Sequence, residues 1–436
     1  MSDANLFGVQ MDGLKSASEI GGDVRVQRAE RAQIELRPSC LEDLLAEDHR
    51  ARLLWSAVSR FDLSAFYGDI GSREGRAGRP AIDPKILVVL WLYATSEGIG
   101  SAREVERLTT SHDAYRWICG GVSVNHHTLS DFRVGQAAAL DELMTKILGA
   151  LMHEGILKLR RIAQDGVRVR AAAGAASFRR ERSLRKCLRA AREQVRATKS
   201  LLAHESGAIA AREKAAKLHA AREREARLTK ALAELETVRE SKSNAEDKRE
   251  ARVSSTDPEA RVMKMADGGY RPAYNVQLST DTEARVIVGV SVCNKGRDVG
   301  EIEPMLSQVE TRAGKLPREH LVDGGYLKLA EIESAAARGV AVLAPPPKPR
   351  EARDPKQPLV NDTPGVARWR KLMGSKRGAK IYKLRAATAE TVNADLRTWR
   401  GLGDVRVRGA DKVLCIAMWS AITYNLLRCF SLGALV

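Results

Sequence analysis

Paired cysteines are missing from this sequence. Its six cysteines, Cys40, Cys119, Cys187, Cys293, Cys415 and Cys429, are scattered over 436 residues with no Cys-x-x-Cys spacing, which argues against a zinc ribbon or a disulfide framework. They read as buried thiols of a reducing compartment. The start "MSDANLFGVQMDG" lacks a basic segment followed by an apolar run, so no secretory signal is expected. Long hydrophobic runs are scarce as well: only "VLCIAMWSAITYNLL" is membrane-like, and at that length a buried helix fits better than a span. Negative charge is in deficit. Lys+Arg 72 against Asp+Glu 55 leaves +17, with pI ≈ 9.7. Such an excess favours a polyanionic partner, usually nucleic acid, although a generically basic, arginine-rich proteome gives the same balance. The expectation is a soluble cytoplasmic protein of two or three domains that faces nucleic acid and no membrane.

Residues from about 40 to 158 read as helices separated by Gly and Asn. Asp83-Pro84 makes a good helix start for "KILVVLWLYATSE", Ser101 can cap "SAREVERLTTS", and Thr128 or Ser130 can begin the run that ends at "LMHEG". With Arg103, Arg107, Arg116 and Arg133, this segment suits a helix-turn-helix-like DNA-binding module, and a helical packing domain with solvated arginines fits it too. His126 and His127 are adjacent, about 100° apart on a helix, so they cannot chelate one metal as an i, i+4 pair can.

Proline is absent from about 176 to 250, where Ala, Arg, Glu, Lys and Leu dominate. Leu184, Leu188, Ala191, Val195, Thr198 and Leu202 follow a heptad seam, and Leu218, Leu228, Leu232 and Leu235 resume a similar stripe. Two helices folding back at Ser206-Gly207 account for this, with charged faces that are solvated or that contact DNA or a second copy. On both sides the period changes. "RRIAQDGVRVRA", "AYNVQLSTD" and "ARVIVGVSVCN" alternate like strands; "DVGEIEPMLSQVETRAG" is helical; "EHLVDGG", "YLKLAEIESAAARG" and "VAVLAPPP" read as strand, helix, strand. The fold expected is an α/β core carrying a helical insertion.

The tetrapeptide DGGY occurs twice, and context separates the two copies. Asp267 lies between alternating stretches and reads as a hairpin-turn residue. Asp323 closes an apolar strand, at the sheet edge where α/β folds bind ligands, although a helix-capping carboxylate has the same appearance. Asp165, on or just after the first strand, can be brought beside it. A third carboxylate, Glu390, recurs with Tyr382, Arg385 and Arg397 in a proline-free helical stretch. Three acidic oxygen donors suit Mg²⁺, and two such ions can activate a water or 3′-hydroxyl for in-line attack on phosphorus. Arg385 and Arg397 would then hold phosphates.

The order "AQDGVRV", long insert, "LVDGGY", "YKLRAATAETVNADLR" resembles the DDE transposases of bacterial insertion sequences, in the insertion sequence four and five superfamily. "GRPAIDPKILVVLWLYATSEGIGSAREVERL" and "NHHTLSDFR" resemble their helical amino-terminal domain, and "STDPEARVMKMADGGYRPAYNVQ" their return into the sheet. The resemblance implies a ribonuclease H-like catalytic core interrupted by a coiled-coil hairpin and preceded by an all-α domain. The boundaries are 1–40 for an amino-terminal extension, 41–158 for a helical DNA-binding domain and 159–436 for the catalytic domain, with the insertion at 176–250. It implies that Asp165, Asp323 and Glu390 bind the metal, Mg²⁺ with Mn²⁺ able to substitute, and that Tyr382, Arg385 and Glu390 form the family's Tyr-Arg-Glu signature. One departure stands out: Arg397 occupies the position where the family usually has lysine, and a planar fork contacts phosphate differently from a point charge. The implied activity is cleavage and strand transfer on double-stranded DNA, at terminal inverted repeats and target sites, by a homodimer or larger assembly on the bacterial nucleoid. A catalytically inactive DNA-binding regulator and a metal-dependent nuclease without strand transfer are the alternatives.

Overall fold

The computed structural model describes Ala32 and residues 40–434, apart from 69, 73–74, 76–79, 203–207 and 348–353. Apart from Ala32 and Cys40, the amino-terminal extension lies outside the described residues, as does the expected turn at Ser206-Gly207.

Helices come first, and side-chain caps set most of their boundaries. His49 caps α1 (Arg50–Ser59). The Asp83 carboxylate accepts the Lys85 N–H, and Pro84 opens α2 (Pro84–Ser96), as the Asp-Pro step predicts. Residues Ile86 to Ser96 are all buried, because a helix that is apolar on every side must be enclosed. Ser101 caps α3 (Ala102–Ser111), and α4 (Asp113–Cys119) ends on left-handed Gly120. The next boundary departs from expectation. Asn125, on extended backbone, accepts the Thr128 N–H and so starts α5 (His126–Gly135) ahead of Thr128, and the run breaks at Gln136 before α6 (Ala137–His153).

β1 (Arg161–Arg170) leads into the insert, α7 (Glu181–Leu202) and α8 (Ala208–Glu240). The contacts Glu181–Arg239, Arg192–Glu225 and Gln194–Arg224 run in opposite directions along the two helices, so the pair is antiparallel. Leu184, Leu188 and Ala191 pack with Leu228, Ala231 and Leu235 in a small core of their own. β2 (Arg261–Lys264) and β3 (Tyr270–Asp281) follow as a hairpin whose turn contains the first DGGY: Gly268 has φ 81°, and Asp267 accepts the Gly269 N–H. β4 (Ile287–Cys293) returns along β3.

β3 lies antiparallel to β1 on one side and carries β2 and β4 along successive stretches of its other edge. On the far side of β1, β5 (Glu319–Leu321) and β6 (Ala341–Leu343) run parallel to it. Parallel neighbours need crossovers, supplied by α9 (Ile302–Ala313) and α10 (Leu329–Ala337). α9 starts at Ile302 rather than at the expected Asp298, whose side chain turns into the sheet instead.

α11 (Pro364–Gly374), α12 (Lys376–Tyr382), α13 (Thr391–Trp399) and α14 (Ala410–Ser431) complete the chain. α14, the membrane-like segment, is long and apolar enough to span a bilayer, and here it packs against β4, α2, α5 and α6. Its Asn425 carboxamide accepts from the Ile287 N–H and donates to the Ile287 carbonyl, both at 2.8 Å, where the β3–β4 register shifts. One hydrophobic cluster runs from Ala51 to Ala434 through both the early helices and the sheet, so Leu41–Val436 forms one unit.

Candidate functional site

Register explains why Asp165 and Asp323 meet. β1 and β5 are parallel with Ala163 opposite Leu321, and two residues further along each strand stand the two aspartates. Arg385 lies between them: its guanidinium reaches Asp165 at 2.9 Å, Asp323 at 3.6 Å and Glu390 at 4.0 Å. Glu390 reaches this point through a local change of helix type. Residues Ala386–Glu390 form a π-helical turn. In an α-helix five residues rotate by about 140° beyond one full turn, which would put Arg385 and Glu390 on different faces; i→i+5 bonding brings them back toward one side.

Exposure grades the three acids. The Asp165 side chain is 20% exposed, Asp323 40% and Glu390 66%, around an Arg385 that is only 12% exposed. Asp165 accepts from the Gly166 N–H at 3.0 Å and from the Asn393 carboxamide at 3.1 Å, and Asp323 from the Gly325 N–H at 2.7 Å. Burial pushes the Asp165 carboxyl above its ordinary range; Arg385 pulls it back and the negative charge of Asp323 adds to the rise.

Beneath the acids is a polar layer that sequence reasoning missed. Asp298 accepts from Asn275 and Gln277, each at 2.7 Å, and from Arg168 at 3.0 Å. Gln277 also accepts from Gln164 and from the Tyr326 hydroxyl. The clue available was "AYNVQLS", which places Asn275, Gln277 and Ser279 on one face of a strand. Alternation by itself reads as one wet face and one dry face, whereas here both faces are buried. Gly166 makes the layer possible: a Cβ there would lie 2.6 Å from Asn275 Oδ1 and from Asp298 Oδ1.

The other expected residues fall as follows. Tyr382 is half-buried, and burial raises its hydroxyl pKa, with Asp165 and Asp323 near enough to add to the rise. Arg397 is exposed, one turn of α13 beyond Asn393, and lines a cleft of about 850 Å³ together with Asp165, Glu390, Arg168, Lys264 and Arg271. Of the four early arginines, Arg107 and Arg116 pair with Glu104 and Asp113 one turn back. Arg133 is turned inward over the Trp91 ring at 4.5 Å and donates to the Gly100 carbonyl. Its guanidinium is thus engaged within the fold, unlike that of the exposed Arg103.

All three acids offer oxygen only, the donor type for a hard divalent cation, and they already surround one positive charge. That charge is the guanidinium. Among the described residues no three His, Cys, Asp or Glu side chains stand close enough to ligate one ion in this conformation.

Residues 39–135 match the family described as "Transposase domain (DUF772)", and residues 242–426 match the "Transposase DDE domain". The second span contains Asp323 and Glu390, and Asp165 lies between the two spans. No curated protein and no solved structure matches the chain.

Proposed function

The chain belongs to the DDE-type transposases, enzymes that act on DNA, and on that premise we propose that it cuts DNA at the ends of a mobile element and joins the freed 3′-hydroxyls to target DNA. One observation carries the residue assignment: carboxylates from a central strand, a neighbouring strand end and a helical turn converge on a single cation. Asp165, Asp323 and Glu390 would hold divalent ions, Mg²⁺ or Mn²⁺ in its place. Such ions activate a water or hydroxyl and neutralise charge on the attacked phosphate. Asn393 and the Gly166 N–H fix the rotamer of Asp165, while the Gly325 N–H fixes Asp323. Arg397 and Lys264 give the cleft positive charge with which to seat a DNA backbone beside the acids, while Arg271 is held by Asp267.

The strand order supports a ribonuclease H-like core: β1 in the middle, antiparallel β3 with β2 and β4 on its outer edge on one side, and two parallel strands on the other. The antiparallel α7–α8 pair with its leucine seam supports a coiled-coil hairpin insertion. An insertion sequence four or five element, the boundaries 41–158, 159–436 and 176–250, assembly as a homodimer or larger on two DNA ends, and work at the nucleoid in the cytoplasm belong to the same reading. The test is strand cleavage by the purified protein on labelled DNA carrying the sequences that flank its gene, with and without Mg²⁺, beside Asp323→Ala. The parent should cut only with metal, and the variant should bind equally while cutting at least about 10³-fold more slowly. Equal cutting by both would refute the assignment.

A further inference from the structure

The insert carries a surface that the cleft does not use. On α7, Arg182, Arg185, Arg189, Arg192, Arg196 and Lys199 follow spacings of 3, 4, 3, 4 and 3, and all six are exposed. At 100° per residue they share an arc about 100° wide, beside the buried seam of Leu184, Leu188, Ala191 and Val195. They therefore form one continuous line along the helix. Among the described residues only Arg185 and Arg192 have acidic partners, Glu181 and Glu225.

The neighbouring helix shows what an ordinary solvated face looks like. On α8, cations alternate with Glu213, Glu223, Glu225, Glu234 and Glu236. Like charges three or four residues apart destabilise a helix by about 0.2–0.5 kcal/mol per pair. On α7, Glu181 and Glu225 answer Arg185 and Arg192, and Glu193 lies one turn from Arg189 and Arg196, so the line is cation-rich with three acids beside it and the Arg196–Lys199 step has no acidic partner among the described residues. A partner with negative charge in a matching line would turn that cost into attraction.

We propose that α7 is a sequence-independent docking surface for the phosphate backbone of duplex DNA. From 182 to 199 is 17 residues, a rise of about 26 Å, and each strand of a duplex carries a phosphate about every 3.4 Å of duplex axis. Laid along a duplex, the line runs past roughly seven base-pair steps, enough to meet several phosphates wherever a backbone passes under it. α7 has no aromatic residue, so it offers no platform for stacking unpaired bases, which separates a duplex from a single-stranded partner. Charge on a rigid rod positions a backbone without reading bases. This inference rests on the protein being a DNA-acting enzyme and adds a second grip outside the cleft.

The experiment uses the full chain with Arg182→Gln, Arg189→Gln and Arg196→Gln combined, and fluorescence anisotropy on a labelled duplex of arbitrary sequence over a range of salt. The slope of log K against log[salt] should shrink by about 2.7, three contacts at 0.9 each, with affinity at low salt falling at least about tenfold. A control with the same net charge, Lys217→Gln, Arg222→Gln and Arg224→Gln on α8, should keep the parent slope, and the Arg→Lys triple on α7 should restore it. Circular dichroism checks that each variant keeps the parent helicity. Parent-like binding by the α7 glutamine triple overturns the proposal, as does an equal loss in the α8 control or a loss confined to single-stranded DNA. Failure of the parent itself to bind any duplex would sink the functional reading as well.

Discussion

The sheet edge and the helical insert use the same residue types in opposite ways. At the sheet edge one buried arginine is shared by three acids; on α7 six exposed cations share two acids. Arg385 itself is almost out of water, so its charge must be answered by neighbours and its geometry is tightly constrained, while Glu390 on the rim stays solvated. On α7 water answers most of the charges, and the line of cations is set by helix period. The difference teaches where sequence position matters and where spacing alone does.

Four experiments can break or sharpen this contrast, in descending order of effect. Gly166→Ala places a methyl group 2.6 Å from Asn275 and Asp298 oxygens, and these side chains are tied to one another by hydrogen bonds that any shift would strain. It should cost about 3 kcal/mol in urea unfolding, and an unchanged midpoint would mean that the layer is loose. Second, His320 on β5 is wholly buried, and neither ring nitrogen has a hydrogen-bond partner among the described residues. Burial lowers its pKa from 6.5 to about 3. The unfolded chain therefore takes up the proton first, and stability is lost as pH falls below 6.5 toward 3. At pH 5 that amounts to about 2 kcal/mol, and His320→Leu should flatten the decline between pH 7.5 and pH 5.

Third, Arg385→Ala removes the cation that the acids now hold. Mn²⁺ affinity, followed by the electron paramagnetic resonance of the free ion in the absence of DNA, should tighten about tenfold. Weaker binding would mean that Arg385 assembles the acids rather than occupying their centre. Smallest is the effect of the α7 glutamine triple on folding. Acids already answer Arg185 and Arg192, so relief of the Arg196–Lys199 step should raise stability by about 0.2–0.5 kcal/mol, and a loss of several kcal/mol would show those arginines to be structural.

Local rules carried the element boundaries where a cap or breaker was unambiguous, as at Asp83-Pro84 and Ser101. They failed where two candidate caps competed, and Asn125 displaced Thr128 and Ser130. Asp298 was read as the first residue of a helix because nothing nearby in sequence records that Asn275, Gln277 and Arg168 will meet it. Arg133 looked like its neighbours among the early arginines, and only the approach of Trp91 from another helix turned it inward.

By itself, the sequence determined whatever depends on neighbours along the chain: caps, strand alternation, the cation line of α7, and the two contexts that separate Asp267 from Asp323. Tertiary structure decided whatever depends on residues far apart. Parallel register brought Asp165 beside Asp323 across 158 residues, from 165 to 323. A π-helical turn swung Glu390 toward Arg385, and Gly166 opened room for the polar layer beneath them. Chain connectivity fixes short-range geometry through backbone dihedrals, but long-range contacts exist only once burial has chosen which faces meet.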